Sequence, residues 1–309
     1  MKHFDFSPTP ITPLPYYSRK FGINIKCKRD DLFQEVGGGN KARMLQYILA
    51  DMSAEKYDVL LTAGGPCSNF NRACALMCAK IGIPMHLVEY TDDIQEFNIS
   101  LNYYLCKLAE IRTTRCVKTE VSETIKMVLN DYETKGQRVK LIYGGGKSLE
   151  GIYAYYDAVR EIYDSQCRID YLFVACGTGT TLTGICAGMQ KYYPDAKVYA
   201  ISTARKFRDE QPVLNEDMDI LNCYLGSNYA FNNLIFFDNY LCGGYAKYND
   251  ELFSTIKECI SKEGMLIDPT YSGKAFWGMT NILSSEQVFH GKNVLFWNTG
   301  GIFNLLSTK

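Results

Sequence analysis

Lys41 is the residue of this chain best placed for amine chemistry. It follows Gly37, Gly38, Gly39 and Asn40, and helical spacing of apolar residues begins directly after it, over 42–54. The amino terminus of a helix disfavours an ammonium ion, which helps to keep an amine there nucleophilic. Taken alone, a lysine at a helix start reads as a solvated surface charge. A second pattern is Cys176-Gly-Thr-Gly-Thr-Thr181, between the apolar run 171–175 and the helical segment 182–191. Gly177 and Gly179 let the backbone close around an anion, Thr178, Thr180 and Thr181 add hydroxyls, and the following helix contributes its dipole. A nucleophilic amine and a cup for a small anion are what a carbonyl-bearing, phosphorylated cofactor would require.

Three phosphate-binding readings compete. Gly146-Lys147-Ser148 imitates the end of a P-loop, but that motif needs glycine at position 141, where this chain has Leu141. A dinucleotide fingerprint would need a third glycine at Leu182 and an acid after the next strand, which instead ends in Ser202-Thr203. The third reading is a monophosphate site in residues 176–181. No magnesium-binding group or lysine accompanies it, so a small cofactor phosphate fits better than ATP. Pyridoxal 5′-phosphate (PLP) answers both this site and the amine of Lys41.

The elements that must position these residues are those of an α/β protein. Strand-like runs at 58–62, 85–89, 139–143, 171–175, 197–202 and 293–297 alternate with helical spacing at 68–80, 121–135, 148–164 and 250–262. That alternation predicts a mostly parallel sheet. Glycine-rich turns at 37–40, 64–69, 144–147, 176–181 and 299–301 follow strands or open helices. In such sheets ligands bind at the carboxyl ends of strands, so these turns are expected to share one cleft. The proline-rich residues 7–15 predict an extended arm on the surface. A chain of 309 residues with net charge −1 has no basic footprint for nucleic acid. No signal core or membrane span is visible, and the twelve cysteines, with no CxxC pair, read as reduced and buried in a cytoplasmic protein. With only His3, His86 and His290, no metal site is expected, and His86 lies within an apolar run that suits a core role.

Taken in order, Thr12-Pro-Leu-Pro15, Lys28-Arg-Asp-Asp-Leu32, Gly38-Gly-Asn-Lys-Ala-Arg43, Gly64-Gly-Pro-Cys-Ser-Asn-Phe-Asn-Arg72, Gly145-Gly-Lys-Ser-Leu-Glu-Gly151, Gly244-Tyr245, Asp268-Pro-Thr-Tyr-Ser-Gly-Lys274 and Asn298-Thr-Gly-Gly301 form one pattern. Over essentially its whole length the chain resembles the 1-aminocyclopropane-1-carboxylate (ACC) deaminase and D-cysteine desulfhydrase family of fold-type-II PLP enzymes. The resemblance implies a two-domain tryptophan-synthase-β-like fold, with parallel sheets flanked by helices. The larger domain would combine residues 1–43 and 151–309, and the smaller would span 44–150. It also implies a homodimer acting on a small amino acid. Lys41 would hold PLP as a Schiff base and shuttle the α-proton. Asn69 would face the cofactor's 3′-oxygen, Ser68 the substrate carboxylate, and residues Gly177, Thr178, Gly179, Thr180 and Thr181 the phosphate. Tyr245 and Tyr271 would approach the substrate.

Two positions bear on the reaction. ACC deaminase-like members place Glu after the tyrosine of the DP-x-Y motif, at the pyridine nitrogen, where this chain has Ser272; Thr299 matches desulfhydrase-like members. A hydroxyl at a neutral ring nitrogen makes a weaker electron sink, which suits β-elimination better than opening of a cyclopropane. The resemblance therefore favours β-elimination, giving pyruvate, ammonia and a leaving group such as sulfide. ACC deamination to 2-oxobutyrate, β-replacement and a non-catalytic PLP-binding role are the alternatives. The chain departs from the family at Cys67, Phe70 and Met44, where the family carries glutamine, a polar residue and a basic residue; the first two flank Ser68 and Asn69 and so bear on the substrate-carboxylate pocket rather than the cofactor.

Overall fold

The computed structural model describes residues 1–92 and 100–308. Its strands are β1 (Ile11–Pro13), β2 (Asn24–Arg29), β3 (Val59–Gly64), β4 (Met85–Thr91), β5 (Arg112–Val117), β6 (Val139–Ile142), β7 (Tyr171–Cys176), β8 (Lys197–Ser202), β9 (Leu234–Phe237) and β10 (Asn293–Asn298). The helices are α1 (Pro15–Phe21), α2 (Asn40–Glu55), α3 (Asn69–Ile81), α4 (Leu101–Leu108), α5 (Val121–Glu133), α6 (Leu149–Asp164), α7 (Thr180–Tyr192), α8 (Phe207–Leu225), α9 (Asp250–Glu263), α10 (Ser272–Ser285) and α11 (Ile302–Ser307).

The strands form two sheets, one of order β1-β2-β10-β7-β8-β9 and one of order β5-β4-β3-β6. All pairings are parallel except β1 with β2. The central strands are largely apolar and buried almost throughout, as in Val59-Leu-Leu-Thr-Ala-Gly64 and Tyr171-Leu-Phe-Val-Ala-Cys176, because helices cover both faces of a parallel sheet. This is the α/β fold with parallel sheets flanked by helices that the sequence predicts. Every strand-like run marked above is a strand. The runs that periodicity did not mark are informative. Strand β5, Arg-Thr-Thr-Arg-Cys-Val, is a largely exposed sheet edge that needs few apolar residues. Helix α8 carries Pro212 inside it, a residue that argues against a helix interior.

The proline-rich arm is more than a surface strap. Residues 11–13 pair with β2 as an antiparallel edge strand, and Thr9 is buried beneath them. The reason is a charge network. Strand alternation turns Lys28 inward, and Asp30 follows it into the same interior, while Arg29 pairs with Asp31 on the other side at 2.7 Å. Asp30 accepts two hydrogen bonds from Arg43 (2.8 and 2.9 Å), one from Thr9 (2.7 Å) and one from Tyr155 (2.6 Å). Arg43 also reaches Glu161, which takes Lys28 Nζ at 2.6 Å, and Lys28 donates to the Thr9 carbonyl at 2.8 Å. Two cations and two anions thus join the arm, β2, α2 and α6. Burial alone would raise the Asp30 pKa, but Arg43, Lys28 and Tyr155 outweigh it and hold the carboxyl at about 2.

His86 on β4 is a core residue, as the sequence suggested, held between Tyr132 Oη (3.1 Å) and Thr114 Oγ1 (2.9 Å). Its pKa is lowered to about 4, chiefly by burial. All twelve cysteines are unpaired. Among the described residues no helix is long and apolar enough to cross a membrane, and no cluster of three or more His, Cys, Asp or Glu could hold a metal.

Removing Asp30 leaves Arg43 with one anionic partner instead of two. Asp30→Ala is expected to cost about 3–5 kcal/mol of unfolding free energy in denaturant titrations, and Asp30→Ala/Arg43→Met to recover part of it. Because the folded pKa of Asp30 lies below its unfolded value, its stabilisation is complete above pH ~4 and is lost as pH falls towards 2. Acid unfolding of Asp30→Asn should therefore lose steepness in that window relative to wild type.

Candidate active site

The carboxyl ends of both sheets converge on one cavity of about 630 Å³. Its wall takes residues from the turns after β3 (Gly64 to Asn69), β6 (Gly144, Gly145), β7 (Gly177, Thr178, Gly179 and Thr181), β8 (Ala204, Arg205) and β10 (Thr299, Gly300). Asn40 and Lys41, at the start of α2, complete it, with Tyr90, Thr91, Asp92 and Lys118 also on the wall. The five glycine-rich turns thus all contribute to a single cleft, as the strand-end rule predicts.

Lys41 is the second residue of α2, and its Nζ donates to the Gly145 carbonyl at 2.8 Å. Burial lowers its pKa to about 8. An appreciable neutral fraction at physiological pH is what an amine nucleophile needs. Lys41 has a fixed platform because Arg43, one residue beyond Ala42, is locked into the buried charge network. At the same helix end, Asn40 N–H donates to the Thr299 carbonyl (3.0 Å) and Asn40 Nδ2 to Thr181 Oγ1 (3.0 Å), so the amine and the Gly177 loop are tied together.

Helix α7 begins after Gly179, whose φ of 85° favours glycine, and no side chain caps it. A Cβ on Gly177 would press on the Tyr271 ring at 3.1 Å. Thr180 is fully buried and its Oγ1 has no hydrogen-bond partner, while Thr178 and Thr181 line the cavity. An uncapped helix start, a glycine cradle and a buried orphaned hydroxyl fit a phosphate. Helices α6 and α7 pack closely enough to hold this loop still: a Cβ on Gly188 would meet the Tyr156 carbonyl and Val159 at under 3 Å.

Ser68 caps α3, its Oγ accepting from Asn71 N–H at 3.2 Å, which leaves the hydroxyl proton free for a ligand. Asn69 lies on the wall, its Oδ1 accepting from Asn102 at 3.1 Å. Tyr271 donates to the Tyr245 hydroxyl at 3.0 Å. Burial raises both phenols, Tyr245 to about 12 and Tyr271 well above the usual range, so each enters neutral and protonated. Cys67 also lines the cavity as a neutral thiol, its pKa raised by burial against an opposing hydrogen bond with Ser100.

Ser272 is placed differently from the sequence expectation. It is fully buried and absent from the cavity wall, and its Oγ donates to Asp268 Oδ1 (2.8 Å) or the Gly300 carbonyl (3.0 Å). The physical reason is Asp268, a buried carboxyl that gathers the N–H groups of Thr270, Tyr271 and Ser272 at the start of α10. Burial raises Asp268 to about 6 against those hydrogen bonds. Thr299, from the neighbouring turn, does lie on the wall. Sequence reasoning did not single out Asn40, Gly145, Asn102 or Asp268. Asn40, Gly145 and Asp268 sit within motifs it marked, whereas nothing near Asn102 in the chain signals a site.

The residues present fit PLP. The sequence profile of the pyridoxal-phosphate-dependent enzymes matches residues 4–300. A Thermotoga maritima protein, named provisionally as a 1-aminocyclopropane-1-carboxylate deaminase, is 31% identical over 306 residues, covering 97% of this chain and 96% of its own. A crystal structure of an ACC deaminase homologue superposes with a TM-score of 0.89 at 29% identity, covering 98% of this chain and 93% of the other. The fold is shared more distantly by serine racemase from Dictyostelium discoideum, with a TM-score of 0.70 at 15% identity, covering 96% of this chain and 93% of that one. The chain belongs to the fold-type-II family of pyridoxal-phosphate-dependent enzymes, and pyridoxal 5′-phosphate is its cofactor.

Proposed function

We propose that this enzyme is a lyase that eliminates the β-substituent of a small amino acid, in the manner of D-cysteine desulfhydrase. Water and the substrate are converted to pyruvate, ammonia and the leaving group, which is hydrogen sulfide for cysteine. The observation that carries this reading is the polarity of the cavity wall. Asp92 is the sole carboxylate among the described residues lining it, and it pairs with Lys118 at 3.6 Å. Thr299 lies on that wall, and we assign its hydroxyl to the ring nitrogen, where a hydroxyl stabilises the neutral ring without holding a proton on it. Such a ring is a moderate electron sink, adequate when a β-leaving group departs as the α-proton is lost.

PLP, when bound, supplies the conjugated system that takes up the electron pair left at the substrate's Cα. The chain's own residues do the rest. Lys41 holds the cofactor and moves the α-proton at Nζ, its basicity lowered by burial and its position fixed by the Gly145 carbonyl. Gly177, Thr178, Gly179, Thr180 and Thr181 hold the phosphate. The Ser68 hydroxyl and the amino terminus of α3 attract the substrate carboxylate, since the Ser68 proton is not consumed by the cap. Tyr271 spends its proton on Tyr245, so the Tyr245 hydroxyl keeps a proton that it can give to the departing group. The reading includes a cytoplasmic homodimer.

A second reading is ACC deamination to 2-oxobutyrate, favoured by the names of the Thermotoga relative and of the homologue with TM-score 0.89. Keto-acid analysis separates the two: pyruvate from D-cysteine, L-cysteine or β-chloro-D-alanine is expected, and 2-oxobutyrate from ACC with none from those substrates would replace the first reading by the second. Tyr245→Phe should reduce turnover by roughly 10²-fold, within the range of a lost general acid, with little change in PLP content. Lys41→Ala should lose the visible absorbance of the bound cofactor together with all keto-acid formation. Since only the neutral amine reacts, PLP uptake by the cofactor-free protein should accelerate as pH rises through about 8 and level off above it. A rate independent of pH across that range would remove Lys41 from the role.

A further inference from the structure

Arg72 is a buried cation without a buried anion. It lies in the first turn of α3, 2% exposed, and its Nε has no hydrogen-bond partner. No carboxylate among the described residues forms an ion pair with it. Its guanidinium lies over the Phe303 ring at 4.2 Å, and burial lowers its pKa to about 10. Its Nη1 donates two long bonds, to Asn69 Oδ1 at 3.4 Å and to Asn102 Oδ1 at 3.3 Å. A desolvated guanidinium held this loosely, one helical turn from the cavity, has capacity left for negative charge.

Asn102 on α4 is fully buried. Its Nδ2 is shared among the Cys67 carbonyl (3.1 Å), Asn69 Oδ1 (3.1 Å) and Asn304 Oδ1 on α11 (2.8 Å). Two members of this network have no freedom of role: a backbone carbonyl only accepts, and a guanidinium only donates. The Cys67 carbonyl requires the NH₂ end of Asn102, and Arg72 requires its oxygen, so the Asn102 amide has one orientation. Asn69 then meets donors from both Arg72 and Asn102, which turns its oxygen away from the cavity and its NH₂ towards it. Reversing Asn69 would set donor against donor twice, at a cost of roughly 1–3 kcal/mol for each buried polar group left unpaired.

We infer that Arg72 and Asn102 are positioning residues: together they fix Asn69 as a hydrogen-bond donor to the cavity and select a ligand oxygen bearing negative charge at that point, with the Arg72 cation as its counter-charge. The inference rests on the proposed assignment of Asn69 to the cofactor's 3′-oxygen. A phenolate there would satisfy both the amide and the spare positive potential, which a neutral phenol would not. Neither residue touches the ligand; both act through Asn69.

The test uses full-length protein with PLP and three readouts: the PLP dissociation constant, the pH midpoint of the bound cofactor's visible absorbance, and the thermal unfolding of the cofactor-free protein. Asn102→Asp is nearly isosteric but cannot donate to the Cys67 carbonyl or to Asn69, and its carboxylate would engage Arg72. Arg72→Met keeps the bulk and removes the charge. Each is expected to weaken PLP binding about tenfold, equivalent to about 1.4 kcal/mol. Each should also move the absorbance midpoint to higher pH, because lost positive charge favours protonated forms. Cofactor-free Arg72→Met should unfold as wild type does, and Arg72→Lys should restore the midpoint more fully than the affinity. If Asn69→Ala changes affinity and midpoint while Asn102→Asp and Arg72→Met change neither, or change only thermal unfolding, the positioning role is overturned and the Asn69 assignment stands. No change in Asn69→Ala would overturn both.

Discussion

The fold turns on the neutralisation of charge in a place that excludes water. Arg43 and Asp30 are respectively 1% and 0% exposed as side chains, and neither could be buried alone. Their mutual pairing, with Glu161, Lys28, Thr9 and Tyr155 filling the remaining hydrogen-bond positions, fixes four elements at one point: the amino-terminal arm, β2, α2 and α6. Helix α2 carries Lys41 two residues before Arg43. A buried electrostatic anchor therefore lies directly behind the amine proposed as nucleophile, and the same helix end is tied to the Gly177 loop by Asn40.

Around Lys41 the cavity is arranged to lower charge rather than to create it. The amine is pushed towards its neutral form by burial, the phenols of Tyr245 and Tyr271 and the Cys67 thiol are pushed towards theirs, and the one lining carboxylate among the described residues is paired with Lys118. Fixed positive potential is available from the helix amino termini of α3 and α7 and, on the inference above, from the buried guanidinium of Arg72. On the proposed reading, an anionic cofactor and a zwitterionic substrate would meet oriented N–H groups that need no reorganisation, and acid and base duties would fall to neutral groups whose protons have defined directions.

The two serines of the expected site illustrate how a local role constrains a chemical one. Ser68 uses a lone pair to cap α3 and keeps its proton for the cavity. Ser272 has its proton engaged by Asp268 and Gly300 in a site without solvent, and the turn after β10 brings Thr299 to the wall in its place. Adjacent chain positions therefore do not share a surface: Tyr271 faces the cavity and Ser272 the interior, because α10 starts between them.

Strand-like apolar runs, glycine turns and the Lys41 and Gly177 motifs were legible in the sequence because each depends on local requirements: burial on both sheet faces, positive φ, close backbone approach. The family pattern added Ser68, Asn69, Tyr245, Tyr271 and Thr299, all of which lie on the cavity wall. Edge strand β5 and the Pro212-containing α8 were not legible, since tertiary packing overrides weak local preference there. Nor was Asn102, whose neighbours in space, Cys67, Asn69, Arg72 and Asn304, lie some 30 positions earlier in the chain or 202 later. The sequence by itself determined that an amine and an anion cup exist and that strand ends present them. Only the tertiary structure decided which hydroxyl reaches the wall, which way the Asn69 amide faces and how far the Lys41 amine is desolvated. Those properties depend on groups distant in the chain that exclude water together.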